Sequence, residues 1–134
     1  EPLGEFNKPI NPIKLALVSG ASFVARCDPR DINHTAEIIE KAIKHKGFAF
    51  VEMMQHCLAF NVETSEEDRI MHKVDNKDGM KRALELADEW DYNSKKGEIP
   101  IGILFQENRK TLEDEWPQLK KLIEKKVGWK DIKK

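Results

Sequence analysis

Hydrophobic and polar positions in this chain recur at two spacings, one helical and one strand-like. Ile13, Leu15, Ala16, Leu17 and Val18 form a short apolar run entered through Asn11-Pro12 and left at Gly20. Asn caps free backbone amides, Pro at the first helical position gives up no needed donor, and Gly ends a helix. The pattern predicts a short helix over Pro12 to Ser19, apolar all round and therefore buried. Ser22 to Cys27 reads as a strand, and Asp28-Pro29-Arg30-Asp31 carries turn chemistry. A helix is predicted from about Asn33 to Lys46. Its apolar stripe is Ile32, Ala36, Ile39 and Ile43, its other faces carry Glu37, Glu40, Lys41 and Lys44, and it ends at Gly47. Phe48 to Met54 is apolar on both faces, as in a parallel strand with helices above and below, and it is the predicted central strand. Strand, helix and strand make one right-handed βαβ unit.

Cys57 to Asp68 reads as a loop, acidic at Glu63, Glu66, Glu67 and Asp68. Arg69 to Val74 alternates weakly and suits an edge strand. Several N-cap candidates in Asp75-Asn76-Lys77-Asp78 precede a helical pattern of Met80, Ala83, Leu84, Ala87 and Trp90. Asn93 to Glu98 is a polar loop, and Ile99 to Phe105 is an apolar strand. Thr111-Leu112-Glu113-Asp114 is close to a capping box. Pro117 would clash inside a helix, so a new helix is expected to start there, with Trp116, Leu119, Leu122 and Ile123 on its apolar side. The sum is α/β: about three parallel strands with a possible edge strand and flanking helices. The sheet is small for its helices, as if residues 1–134 were a portion of a larger domain.

Charge and composition narrow the classes. The 134 residues carry 23 Lys and Arg against 24 Asp and Glu, so the net charge is -1. A nearly neutral chain has no global field for nucleic acid or an anionic membrane surface. Lys120-Lys121 and Lys125-Lys126 have no interleaved aromatics and read as a wet helix face. No apolar run approaches the roughly 20 residues needed to span a bilayer, and no signal peptide is visible. Two cysteines without secretory features imply reduced thiols and a cytoplasmic location.

Cys57 is the sharpest chemical candidate, because ligands in α/β proteins gather where strands end. From the residues alone it is either a small apolar residue at a strand end or a thiolate ligand, and one thiolate cannot hold a four-cysteine cluster. Cys27 reads as an inert thiol near a turn. His34, His45, His56 and His72 show no metal spacing, and His56 and Cys57, being adjacent, are expected to point apart. A small metal or redox protein using Cys27 and Cys57 is a minor alternative. There is no G-x-G-x-x-G, no P-loop and no G-x-S-x-G. Ser19-Gly20-Ala21-Ser22 is a serine loop for which the sequence suggests no base.

Five stretches together carry a family resemblance: Pro9 to Leu17 (PINPIKLAL), Gly20 to Arg26 (GASFVAR), Ala42 to Phe48 (AIKHKGF), Cys57 to Asn61 (CLAFN) and Ile99 to Phe105 (IPIGILF). In content and order the chain resembles the β subunit of the 2-oxoacid:ferredoxin oxidoreductases, the thiamine-diphosphate family that includes pyruvate:ferredoxin oxidoreductase. The resemblance implies oxidative decarboxylation of a 2-oxoacid onto coenzyme A, with electrons passed through iron-sulfur clusters to ferredoxin. It implies thiamine diphosphate, Mg2+ and a [4Fe-4S] cluster in the complete enzyme, with Cys57 at the position of a cluster ligand. It also implies an α subunit, and further subunits, as partners in a hetero-oligomer.

Two departures stand out. The family usually has proline before that cysteine, where this chain has His56. The other cluster cysteines and the G-D-G segment that holds magnesium and diphosphate are absent from the sequence. The chain is therefore expected to be the C-terminal portion of the thiamine-diphosphate-binding fold, binding no cofactor and inactive on its own. The alternative is a stand-alone α/β interaction domain that lacks the catalytic half.

Overall fold

The computed structural model describes residues 7–55, 70–92 and 96–131. The first helix, α1 (Pro12–Val18), is capped as its sequence predicts: Asn11 Oδ1 accepts from the Lys14 amide at 2.9 Å. The same side chain donates through Nδ2 to the Ala87 carbonyl, tying α1 to a later helix. Ile13, Ala16 and Leu17 are buried, but Leu15 and Val18 are exposed, so this helix is amphipathic rather than apolar all round.

Strand β1 (Phe23–Cys27) is buried at every position. It leads through a turn into α2 (Ile32–Lys44), whose N-cap Asp31 accepts from the His34 amide. Strand β2 (Ala49–Met53) follows and pairs in parallel with β1, giving the expected βαβ unit. A second such unit is built from β3 (Met71–Asp75), α3 (Gly79–Asp88) and β6 (Ile99–Gln106), with β3 and β6 parallel. Between α3 and β6 lies a short two-stranded ribbon, β4 (Trp90–Asp91) with β5 (Lys96–Gly97). Trp90, expected at the end of the helix, therefore opens a strand.

The sheet order is β2-β1-β6-β3. The outer pairings are parallel as predicted, but the two units meet through an antiparallel pairing of β1 with β6. That replaces the expected run of three parallel strands. The expected edge strand is found as β3. The strand read as central is not central: β2 lies at the other edge, and the buried middle belongs to β1 and β6.

Helices cover both faces. Ile13, Leu17, Val24, Leu86 and Leu104 form the core under α1 and α3, with Phe50 packed against it. On the other face Phe23, Ala25, Cys27 and Ile103 meet Ile38 of α2, with Ala49 and Val51 alongside. The stripe predicted for α2 is displaced: Ile38 and Ala42 face the sheet, while Ile32, Ala36 and Ile43 face outward. At the C-terminal end the capping box forms, with Thr111 and Asp114 exchanging hydrogen bonds around α4 (Leu112–Glu115), and α5 (Pro117–Glu124) starts at Pro117. Neither helix contains a buried residue, so the apolar side Trp116, Leu122 and Ile123 is exposed. Among the described residues no helix is long and apolar enough to cross a membrane.

Candidate functional site at the strand ends

The carboxyl ends of β1 and β2 lie side by side, because Cys27 is level with Met53 and the Met54 amide donates to the Cys27 carbonyl at 2.9 Å. As β6 runs against β1, the same rim holds the starts of β6 and β3, where Ile99 donates to the Ile70 carbonyl. The segment 56–69 thus leaves and re-enters the described structure at one rim. Cys57 and His56, and the acidic run from Glu63 to Asp68, lie outside the described residues. Gln55, two positions before Cys57, is the last residue described there.

A buried charge cluster supports this rim. The Arg26 side chain is fully buried. Its Nε donates to Glu52 Oε2 at 2.5 Å, Nη1 to the Pro100 carbonyl at 3.1 Å, and Nη2 to Tyr92 Oη at 2.5 Å. Tyr92 Oη in turn donates to Glu52. Trp90 and Tyr92 also present their rings to the guanidinium, each 5.7 Å from centroid to Cζ. One cation thus joins β1, β2, β6 and the residue after β4. Directly opposite Arg26 on β6 stands Gly102. Burial first, then the Glu52 carboxylate, push the Tyr92 phenol far above its usual range, against the Arg26 charge, so Tyr92 remains a neutral donor. Reading the sequence missed this cluster. The available signal was a lone Arg inside an otherwise apolar strand, which requires a buried partner.

Beside the cluster, Asp28 and Arg30 form a chelate in the turn after β1, with Arg30 Nη2 at 2.7 Å from Asp28 Oδ2. The turn is tied to α2 by Thr35, which donates to the Asp28 carbonyl. A cavity of about 740 Å³ opens here, between the start of α2, Met71 and Ile101. Its acids Asp28 and Asp31 are bound to Arg30 and Lys73, and it offers no cationic cradle for a diphosphate. Cys27 is a free, fully buried thiol whose pKa is raised, chiefly by desolvation, in keeping with the inert reading. No group of three or more metal-ligating side chains exists among the described residues. The described residues therefore fit neither a diphosphate nor a metal cluster by themselves.

The serine loop gains a neighbour that its sequence did not suggest. Ser22 Oγ is 2.8 Å from His45 Nε2 and 3.3 Å from the Phe48 carbonyl oxygen. Ser22 is buried, however, and lies at the amino end of the strands, away from the rim. There it joins the end of α2 to the start of β1.

The first part of the chain is similar to a thiamine-dependent enzyme domain. Residues 1–53 match the family "thiamine pyrophosphate enzyme, C-terminal TPP binding domain". More particularly, the chain is a relative of the β subunits of the 2-oxoacid:ferredoxin oxidoreductases, as its sequence resemblance implied. It is 35% identical over 121 residues to 2-oxoacid:ferredoxin oxidoreductase subunit beta of a Sulfolobus species and 37% identical over 116 residues to that of Saccharolobus solfataricus. Each match covers 78% of this chain and 38% of the relative. Among solved structures it matches 2-oxoglutarate:ferredoxin oxidoreductase from Magnetococcus marinus, which was solved with 2-oxoglutarate, coenzyme A and succinyl-CoA bound. That match has a TM-score of 0.74 at 27% identity and covers 95% of this chain and 43% of the solved one. The chain thus spans well under half the length of the relatives it matches.

Proposed function

We propose that this chain is the C-terminal portion of the β subunit of a 2-oxoacid:ferredoxin oxidoreductase, which oxidatively decarboxylates a 2-oxoacid onto coenzyme A and passes the electrons to ferredoxin. The observation that carries this reading is the match of fold and sequence to such subunits along most of the chain. Thiamine diphosphate, when bound to the complete enzyme, supplies the electron sink for decarboxylation. Holding it and its Mg2+ falls to residues outside this sequence, since the chain has no G-D-G and the described residues of the rim cavity form no diphosphate cradle. The contribution of this chain is a rigid rim: Arg26, Glu52 and Tyr92 lock the ends of β1 and β2 together just before Cys57.

Within that reading Cys57 is a ligand of a [4Fe-4S] cluster whose other cysteines lie elsewhere in the subunit. The partners are an α subunit, further subunits of a hetero-oligomer, and ferredoxin. The compartment is the cytoplasm, in keeping with the free thiol of Cys27. By itself the chain is inactive. The test is the complete enzyme, assayed for coenzyme A-dependent reduction of ferredoxin by 2-oxoacids. A Cys57→Ser variant is expected to lose iron-sulfur absorbance and electron transfer together. Unchanged cluster content would refute the ligand assignment, and absence of 2-oxoacid oxidation by the wild-type complex would refute the function.

A further inference from the structure

The ribbon between α3 and β6 is pinched at its base. Glu89 directly precedes β4 and Glu98 directly follows β5, so the two glutamates flank the ribbon. The backbones meet closely there: a Cβ on Gly97 would run into the Glu89 carbonyl oxygen. His72, on the edge strand β3, reaches both flanks. Its Nε2 is 2.9 Å from Glu89 Oε2 and 3.8 Å from Glu98 Oε2. What the base does is felt at the rim, because Trp90 opens the ribbon, Tyr92 follows its first strand, and both hold Arg26.

The charges that face His72 come from two directions. From α3 comes Glu89, whose other carboxylate oxygen accepts from Arg82, and Arg82 also donates to Glu85. From the approach to β6 comes Glu98, which is 73% exposed and, among the described residues, pairs only with His72. On β6 itself Pro100, which has no charge, stands opposite His72. Lys73, next along β3, turns to the other face and pairs with Asp31. Of the ribbon's own charges, Asp91 lines the hollow beside Lys14 and Asp88, and Lys96 stands level with it across the ribbon. A neutral imidazole has one N–H to donate and no charge. It can serve Glu89 while Glu98 stays beyond hydrogen-bond reach. Histidine gains its second N–H and its charge between about pH 8 and pH 5, where exposed carboxylates remain ionised.

We propose that His72 is a proton-operated staple at the base of the ribbon. On protonation the imidazolium draws Glu98 in beside Glu89, so that the two ends of the ribbon are fastened together against β3. Tyr92 is then held more firmly on Arg26, and the strand-end rim stiffens as pH falls. On deprotonation Glu98 is released and the ribbon opens more often.

Hydrogen exchange on the complete, assembled enzyme tests this, each rate being divided by that of an unprotected amide at the same pH. Between about pH 8 and about pH 5.5 the protection of the Trp90, Asp91, Lys96 and Gly97 amides should rise about fivefold, the scale of a partly exposed ion pair. The amides of β1 should hold their protection across the same range. In His72→Gln, which donates a hydrogen bond without taking up charge, the rise should vanish. In Glu98→Gln it should fall to less than half. Glu98 is exposed, so that variant folds even where His72→Gln does not. Equal protection of the ribbon at both pH values in the parent would overturn the proposal, as would a change of equal size at β1. A full rise retained in either variant would overturn it too.

Discussion

Arg26 on β1 donates its Nε to Glu52 on β2 at 2.5 Å, with the arginine side chain fully buried and the glutamate nearly so. A buried pair of this kind is no automatic gain over apolar residues, but removing one partner strands the other's charge or donors in a low-dielectric site. Arg26→Ala should therefore cost about 3–5 kcal/mol of stability, read as a lower urea midpoint. Arg26→Lys should not restore it, because a single ammonium cannot reach the glutamate, the Pro100 carbonyl and the tyrosine in the same planar fork. Full stability in either variant would mean that the cluster does not hold the rim together.

Tyr92 reports on the same cluster from another direction. It is the only tyrosine in the sequence, so phenolate absorbance of this chain reads it alone. Its folded pKa is raised, mainly by burial, so the native protein keeps the proton that the unfolded chain releases near pH 10. Between those values the unfolded state binds fewer protons, so stability falls as pH rises above about 10. Phenolate should appear only as the protein unfolds. Ionisation of Tyr92 near pH 10 in folded protein would show that the ring is solvated.

Much of the architecture was legible because it is written in local chemistry. Asn11-Pro12, the box from Thr111 to Asp114 and the restart at Pro117 each encode a helix boundary within a few residues, and each forms. The order of strands was not legible. Two-sided apolar character marks β2 as an interior strand, and no local pattern reports that it stands at the edge of the sheet. The displaced stripe of α2 was not legible either: Ile38 and Ala42 meet the sheet, whereas Ile43 is exposed. For the site, Cys57 lies outside the described residues, and the Arg26–Glu52–Tyr92 cluster could not be read from the chain. Its members lie far apart in sequence and meet only through the register of β1, β2 and β6.

Gly102 sits within β6 at φ +123°, a backbone conformation closed to most side chains. A Cβ there would run into the carbonyl oxygen of Val74 on β3. The strain falls on the buried strand β6, and the collision on the backbone of β3 paired to it. Gly102→Ala should cost about 3 kcal/mol or more, measured by thermal or urea unfolding. Since Gly102 also stands opposite Arg26, the variant should disturb the indole fluorescence of Trp90 before global unfolding. A variant as stable as the parent would mean that β3 and β6 separate more easily than their pairing indicates.

Asp114 couples the C-terminal helices to the body of the domain. Its carboxylate pairs with Lys46 at 2.7 Å, just beyond α2, and accepts from the Thr111 amide at 3.0 Å. The lysine first, then the backbone amide, lower its pKa from the ordinary 3.8 to about 2. Because the folded value is depressed, the stabilising effect is complete above the unfolded pKa near 3.8 and is lost as pH falls through about 2. The pair is exposed and screened by salt, so the change in global stability will be small. The local titration is the sharper measurement. Carboxylate NMR should show Asp114 titrating near pH 2 in the parent and moving toward 3.8 in Lys46→Met, with the amide resonances of α4 shifting in step. An Asp114 midpoint that ignores the loss of Lys46 would detach α4 from α2 and leave Arg109, which donates to the Gly20 carbonyl, as the contact holding that end of the chain in place.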